Sequence, residues 1–199
     1  MTDFVWVAGH TSLDLCNTAA GGLERLTCPE DLGAWLVGAQ LVCDPCVTVS
    51  EDELKAAIRM RDTLRGALLG RDRQAVARAV AGWLDGTPGR LAVDAGTLEW
   101  RFLPDGASTS CLLVAVALDA LRIARELPDR VRECAADRCD VLYLDTSRNH
   151  SRRWCSMERC GARAKSSAYY QRHRGEHDLG MDLAVDEESV EGANRRSVT

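Results

Sequence analysis

Four cysteines near the C-terminus constrain this chain most, because they form two equally spaced pairs. Four residues separate the members of each pair, and fifteen residues separate the two pairs. Two thiolates on a tight turn bind one Zn²⁺ at about 2.3 Å, and a second pair completes a tetrahedral shell. Such a shell leaves no position for water or substrate, so the metal is structural. The predicted ligands of one zinc ion per chain are Cys134, Cys139, Cys155 and Cys160.

The sequence between the two cysteine pairs predicts a β-hairpin. Residues 141–144 form a short β-prone run, 147–151 are polar and turn-forming, and 152–154 lead the chain back to the second pair. Equal spacing on both sides of a hairpin favours a metal site over unrelated cysteines. Buried free thiols and two disulfides are the alternatives.

The charges are divided unevenly along the 199 residues, which carry a net charge of −5. Residues 1–128 contain 12 basic and 17 acidic side chains, residues 129–174 contain 11 and 6, and residues 175–199 contain 2 and 7. The segment with the cysteines is therefore the basic one. From 148 to 174, eight cations accompany a single acid, Glu158. That density suits binding to phosphates.

No charged leader with an apolar run follows Met1, so a secretion signal is not expected. The cysteines are therefore expected to be thiols or metal ligands in a reducing compartment. No apolar stretch approaches the roughly 18 residues of a membrane span. We therefore expect a cytoplasmic protein with no membrane partner. Cys43 and Cys46 form a lone CxxC pair, for which loop or core cysteines are favoured over a redox pair or half of a second metal site.

With 46% hydrophobic residues, the chain suits one or two globular domains, and its pattern predicts a mainly α fold. A helical domain with a small β-hairpin is expected over 1–128, a zinc module built from a β-hairpin and a helix over 129–175, and an acidic disordered tail over 176–199. The predicted elements are a helix opened by Thr27 and Glu30 around Pro29, helices from Ser50 to Gly70, Arg73 to Leu84, Ser108 to Glu126 and Arg163 to Arg174, and a hairpin of 90–93 with 98–102.

The residues around the second cysteine pair resemble the CGNR zinc-finger family of bacterial proteins. The resemblance rests on 154–157 (Trp-Cys-Ser-Met) and 160–163 (Cys-Gly-Ala-Arg), and 13–18 (Leu-Asp-Leu-Cys-Asn-Thr) resembles the opening signature of the family's N-terminal ABATE domain. It covers most of the chain and implies a stress-related transcription regulator that binds DNA. The family motif has Asn where this chain has Ala162, so any cap or base contact made by that amide is absent here.

Together these features favour a zinc-finger DNA-binding protein that regulates transcription. The helical domain would sense a small-molecule effector or form a homodimer. A solvated polar face is the alternative to phosphate contact with double-stranded DNA. The expected contact residues are Arg148, Arg152, Arg153, Arg163, Lys165, Arg172 and Arg174.

Two other classes of function stay open: a zinc-stabilised module that docks an acidic partner or its own tail, and an enzyme or small-molecule-binding protein that uses the N-terminal domain.

Asp14, Asn17 and Thr18 either line a ligand pocket or brace the local packing. Asp145 is expected to brace the hairpin by pairing with Arg152 or Arg163. The histidines show no HExxH spacing and no nucleophile pairing, so no catalytic residue is predicted.

Overall fold

The computed structural model describes residues 3–42, 47–93, 96, 100–105, 108–167 and 169–170. The chain divides into two units, Met1–Gly161 and Ala162–Thr199. The acidic tail predicted for 176–199 lies outside the described residues, as do the CxxC pair Cys43 and Cys46 and the predicted contact residues Arg172 and Arg174.

The first unit is mainly α, as predicted, with two short strand pairs. Its elements in chain order are α1 (Thr11–Cys16), a 3₁₀ segment (Asn17–Gly22), α2 (Pro29–Gly38), α3 (Glu51–Leu69), α4 (Arg73–Asp85), β1 (Gly89–Val93), β2 (Trp100–Pro104), α5 (Thr109–Glu126), β3 (Val131–Glu133), β4 (Leu142–Leu144) and a π-helical turn (Met157–Gly161). In the second unit, residues 162–167 and 169–170 are helical. That agrees with the predicted helix after the last cysteine, whose end lies outside the described residues.

The long helices begin at capping side chains. The Ser50 hydroxyl accepts from the backbone N–H of Glu53 at 3.3 Å, and the Glu53 carboxylate accepts from the N–H of Ser50 at 2.8 Å, which is the predicted capping box. Asp72 caps α4 and Ser108 caps α5 through equivalent bonds to backbone N–H groups. Each such cap stabilises its helix by about 1 kcal/mol.

The side chains that cap the start of α2 are not the predicted ones. Cys28, not Thr27, is the N-cap residue, and the carboxylate that reaches back belongs to Asp31, not Glu30. Asp31 accepts from the N–H of Thr27 at 3.0 Å and from its hydroxyl at 2.6 Å. Asp31 is the third helical residue, from which a carboxylate reaches the cap, whereas Glu30 is one position too early.

Helix α5 packs against α1, α3 and α4 at the centre of the apolar core, as its composition predicted. Fully buried side chains of this kind stabilise a fold by about 1.5–3 kcal/mol each. The same core includes residues of β3 and β4, so the strand pair of the cysteine segment packs on the helices. The largest core side chains include Leu13, Leu15, Leu26, Leu32, Trp35, Leu36, Leu64, Leu113 and Ile123, and the strands add Val131, Leu142 and Leu144.

The two strand pairs are both antiparallel, and only the first has the predicted partners. β1 pairs with β2 from Gly89 opposite Pro104 to Val93 opposite Trp100, and residues 98 and 99 of the predicted second strand lie outside the described residues. β4 pairs with β3, which precedes the first cysteine pair, so the predicted hairpin with 152–154 is wrong. β3 supplies an apolar side chain to the same core that buries β4, which the Arg-Arg-Trp sequence of 152–154 does not.

Candidate metal centre and basic surface

The four predicted cysteines come together at one point. Their Sγ atoms all lie within 4.8 Å of one another, and three of the separations are 3.8 Å (Cys139 to Cys155), 3.6 Å (Cys155 to Cys160) and 3.5 Å (Cys160 to Cys139). A tetrahedron with metal–sulfur bonds of about 2.3 Å has sulfur–sulfur edges of about 3.8 Å. All four are free thiols, so disulfides are excluded. The arrangement fits one zinc ion.

The first cysteine pair is presented by the end of β3. The N–H of Cys134 donates to the carbonyl of Val141 at 2.9 Å, and the N–H of Cys139 donates to Ala136 at 3.1 Å, which closes the turn. Arg138 and Asp140 have left-handed backbone angles, with φ of 55° and 44°. Non-glycine residues adopt these angles rarely, so the turn is held by its surroundings.

The second pair is presented by the π-helical turn. The Ser156 carbonyl accepts from the N–H of Cys160 at 3.2 Å and from that of Gly161 at 3.1 Å. A Cβ at Gly161 would come within 2.6 Å of the Met157 sulfur and 3.3 Å of the Trp154 ring, so a larger residue there requires the exposed Met157 side chain to move. The N–H of Cys155 donates to the Cys134 sulfur at 3.3 Å, which stabilises negative charge on that sulfur and links the two pairs.

Two of the four thiols, Cys139 and Cys155, hold their protons tightly when no cation is bound. Burial raises the pKa of Cys139 to about 11 and also raises the pKa of Cys155, with the neighbouring thiols adding to both effects. Four thiolates at this spacing repel one another, so a divalent cation is needed to stabilise them. Zinc binding therefore releases protons, and affinity rises with pH. With all four ligands from protein, the ion supplies structure and no open coordination position.

Comparison with known families agrees with this geometry. Residues 9–138 match ABATE, described as a putative stress-induced transcription regulator, and that match spans more than half of the chain. The chain belongs to the ABATE family. Residues 130–173 match the CGNR zinc finger, so an ABATE segment is followed by a zinc finger whose four cysteines hold one zinc ion. A comparison with curated proteins finds no match. Within its described residues, this ABATE protein has no helix long and apolar enough to cross a membrane.

The loop between the cysteine pairs, residues 146–151, is fixed by Asp145, which is 1% exposed. One carboxylate oxygen of Asp145 accepts from the N–H of Ser147 at 2.9 Å and from its hydroxyl at 2.6 Å, and the other accepts from the backbone N–H of Arg152 at 3.2 Å. Burial opposes ionisation, but these bonds outweigh it and lower the pKa of Asp145. The predicted bracing role therefore runs through the Arg152 backbone, not through its guanidinium.

A second set of bonds holds the same loop. Arg130 donates to the carbonyls of Asp145 at 2.9 Å and Ser147 at 3.1 Å. The Ser147 carbonyl accepts from the N–H of His150 at 3.3 Å, and its hydroxyl accepts from the N–H of Ser151 at 3.1 Å. The side chains at the tip take no part in this network. Arg148, Asn149 and His150 are all exposed.

The predicted contact arginines next to the loop have different surroundings. The Arg152 guanidinium lies 4.6 Å from the centre of the Tyr143 ring and donates to the carbonyls of Trp154 and Cys155. Arg153 is exposed, and its guanidinium lies 5.2 Å from the centre of the Trp154 ring. Arg152 thus stabilises the zinc finger from within, whereas Arg153 faces solvent.

In the second unit, the predicted contact residues Arg163 and Lys165 are exposed on the helical segment 162–167. Tyr169 is 54% exposed, and its ring packs edge-on against Tyr170 at 6.0 Å. An exposed cation and an exposed aromatic ring thus lie four residues apart in this segment.

The three residues of the N-terminal signature all bond to the protein itself. Asp14 accepts from the N–H of Ala8 at 3.2 Å, and Thr18 donates to the carbonyl of Leu15 at 2.7 Å. Asn17 is fully buried and exchanges two bonds with the backbone of Leu142, donating at 2.9 Å and accepting at 2.7 Å. These bonds brace the packing, and a ligand role for the three stays a prediction.

Sequence reasoning missed Arg65, which connects α3 to the cysteine segment. It donates to the Glu133 carboxylate at 3.1 Å and to the carbonyl of Asp140 at 2.7 Å. Asp140 in turn accepts from the N–H of Gly21 at 2.5 Å. A signal was present, because Arg61 and Arg65 lie four residues apart and Arg61 falls in register with the apolar stripe of α3.

Proposed function

We propose that this ABATE protein is a transcription regulator that binds double-stranded DNA through its zinc finger. The observation that carries the proposal is the loop 146–151, whose backbone is fixed on buried Asp145 while Arg148, Asn149 and His150 face solvent. A loop already held in one conformation binds with a smaller loss of conformational entropy. The basic composition of 129–174 and the description of the ABATE family support the same conclusion.

In this proposal, the contact residues that the structure describes are cations and an amide that are exposed to solvent. Arg148 and Arg153 are exposed, and an arginine that stacks on a ring still has N–H groups at its edge for phosphate oxygens. Asn149, at the tip of the loop, has an amide that can donate to and accept from an adenine edge. Arg163 and Lys165 add exposed cations on the helical segment, and Arg172 and Arg174 are proposed to extend that face. Electrostatic attraction to phosphates would supply most of the affinity.

The helical core would act as sensor or dimerisation unit in the same proposal. Asn17 and Arg65 bond directly to the strand pair and the first cysteine turn. A displacement of α1 or α3 would therefore change the support of the zinc finger. This contact offers a physical route by which an effector or a second subunit would alter DNA binding.

The direct test is binding of the zinc-loaded protein to fluorescently labelled duplexes, measured by anisotropy over a range of salt concentrations. Log K is expected to fall linearly with log[salt], and Arg148→Ala should reduce the slope by about 0.9 if it contacts one phosphate. Arg78→Ala is the matched control, because it removes an exposed arginine from α4. Zinc-loaded protein that binds no duplex at low salt would refute the proposal.

A second measurement separates DNA binding from docking of an acidic partner. If the acidic tail competes with phosphates for the basic surface, deletion of 176–199 should tighten duplex binding and steepen its salt dependence, because salt also weakens the competing tail. If the truncated protein binds an acidic peptide at the same salt concentration but no duplex, the zinc finger is an interaction module.

A further inference from the structure

A cavity of about 340 Å³ lies between α3 and α4, with α5 contributing to its floor. Its walls are apolar, with Met60 and Leu64 from α3, and Val80 and Trp83 from α4. None of its lining residues belongs to the zinc site, to the loop 146–151 or to the N-terminal signature. The volume falls within the range of about 300–1,000 Å³ that is typical of small-molecule sites.

The protein leaves this space unfilled at Gly82, which also lines the cavity. A Cβ at Gly82 would meet no atom within 4 Å, so close packing does not require glycine at this position. Glycine in a helix interior is less favourable than alanine by about 1 kcal/mol. A larger side chain at Gly82 would therefore extend into the open space at this end of the cavity.

One cation lies at the edge of the cavity. Arg59 lines the cavity and is exposed, and it forms no ion pair within the part of the chain that the structure describes. Its neighbours on α3 differ, because Lys55, Arg61 and Arg65 each pair with a carboxylate. The other polar groups of the lining are already bonded: the Thr63 hydroxyl donates to the Arg59 carbonyl at 2.8 Å, and the Trp83 N–H donates to the carbonyl of Ser110 at 3.2 Å.

We propose that this cavity binds a small amphipathic monoanion, with its apolar body between α3 and α4 and its anionic group at Arg59. The apolar walls supply the affinity, and the guanidinium selects for negative charge. The Trp83 ring presents only an apolar face, since its N–H is bonded within the protein. The inference does not depend on DNA binding.

Two fluorescent probes that differ in charge test this proposal on the zinc-loaded protein. Anilinonaphthalene sulfonate carries one anionic group, and phenylnaphthylamine is its neutral analogue. Both should bind the wild-type protein with enhanced fluorescence. Arg59→Gln should weaken binding of the sulfonate about fivefold and leave the neutral probe unchanged, which corresponds to one exposed charge pair. Arg73→Gln, on α4 outside the cavity lining, is the charge control.

Filling the cavity supplies the second arm. Gly82→Leu should abolish binding of both probes, whereas Gly66→Leu should not, because Gly66 is also open to solvent but does not line the cavity. Ala56→Leu fills the space from α3 and replaces the Gly82 variant if that one does not fold. Equal binding by the filled and wild-type proteins would overturn the proposed site, and equal loss of both probes in Arg59→Gln would overturn the proposed anion.

Discussion

The helical core and the zinc finger of the first unit are stabilised in opposite ways. The core joins helices through side chains such as Leu13, Leu113 and Ile123, which are fully buried. Around the cysteines the apolar cluster is small and includes Val5, Ala20 and the Tyr143 ring. There the chain is held by individual hydrogen bonds and by the metal. A segment with little apolar surface needs such bonds, because area alone does not offset its conformational entropy.

Zinc removal is expected to have the largest effect and tests this contrast directly. Structural zinc contributes on the order of 10 kcal/mol to small fingers. In Cys155→Ser, NMR signals of Tyr143 and Trp154 should lose their dispersion while the helical circular dichroism persists. Cys28→Ser is the control, because serine also caps a helix. If the helical signal were lost together with the metal, the two regions would form one cooperative unit and the contrast would fail.

Asn17→Ala is expected to have the second-largest effect on stability, because it removes the two hydrogen bonds that join Asn17 to the backbone of Leu142, across the boundary between the two regions. Two bonds are lost, and the N–H and C=O of Leu142 remain buried without partners, so a loss of about 2–4 kcal/mol is expected. Urea unfolding of the zinc-loaded protein measures it. Asn149→Ala, at an exposed position, should change stability by less than about 0.5 kcal/mol.

Asp14 gives the core a pH dependence of its own. Burial raises the pKa of Asp14 to about 6, against 3.8 for the free residue. The folded state thus holds the proton more tightly, so this contribution to stability is complete below pH 4 and is lost as pH rises to about 6, up to about 3 kcal/mol. Asp14→Asn should remove that change. Unfolding free energies of both proteins from pH 4 to 7 measure the difference, and parallel curves would contradict the prediction.

The smallest expected effect is a difference between two arginine substitutions: replacing Arg152 should lower the stability of the zinc finger, whereas replacing Arg148 should not. Arg152→Ala removes bonds to two carbonyls and the contact with the Tyr143 ring, which should weaken the finger by about 1–2 kcal/mol and speed zinc transfer to a chelator. Arg148→Ala should leave zinc transfer unchanged, since its side chain is exposed. Equal transfer rates for both variants would show that Arg152 does not stabilise the zinc site.

The zinc ligands were predictable because cysteine carries its chemistry in the side chain and regular spacing fixes the turns. The Ser50 capping box was equally predictable, since all of its hydrogen bonds lie within four residues. The partner of β4 was not, because strand pairing depends on which apolar side chains reach a shared core. Asn17 is 125 residues from Leu142 in sequence, and no local pattern indicates that pair.

The shared burial of β3 and β4 has a consequence for engineering. Excised at residues 130–173, the zinc finger would expose Val131, Leu142 and Leu144 to water. It would also lose the Asn17 amide that satisfies the backbone of Leu142. The zinc finger is therefore not expected to fold when it is transferred alone to another protein. Such a transfer must include an apolar surface of matching shape for the strand pair, whereas substitution of the exposed loop residues within this protein leaves that surface unchanged.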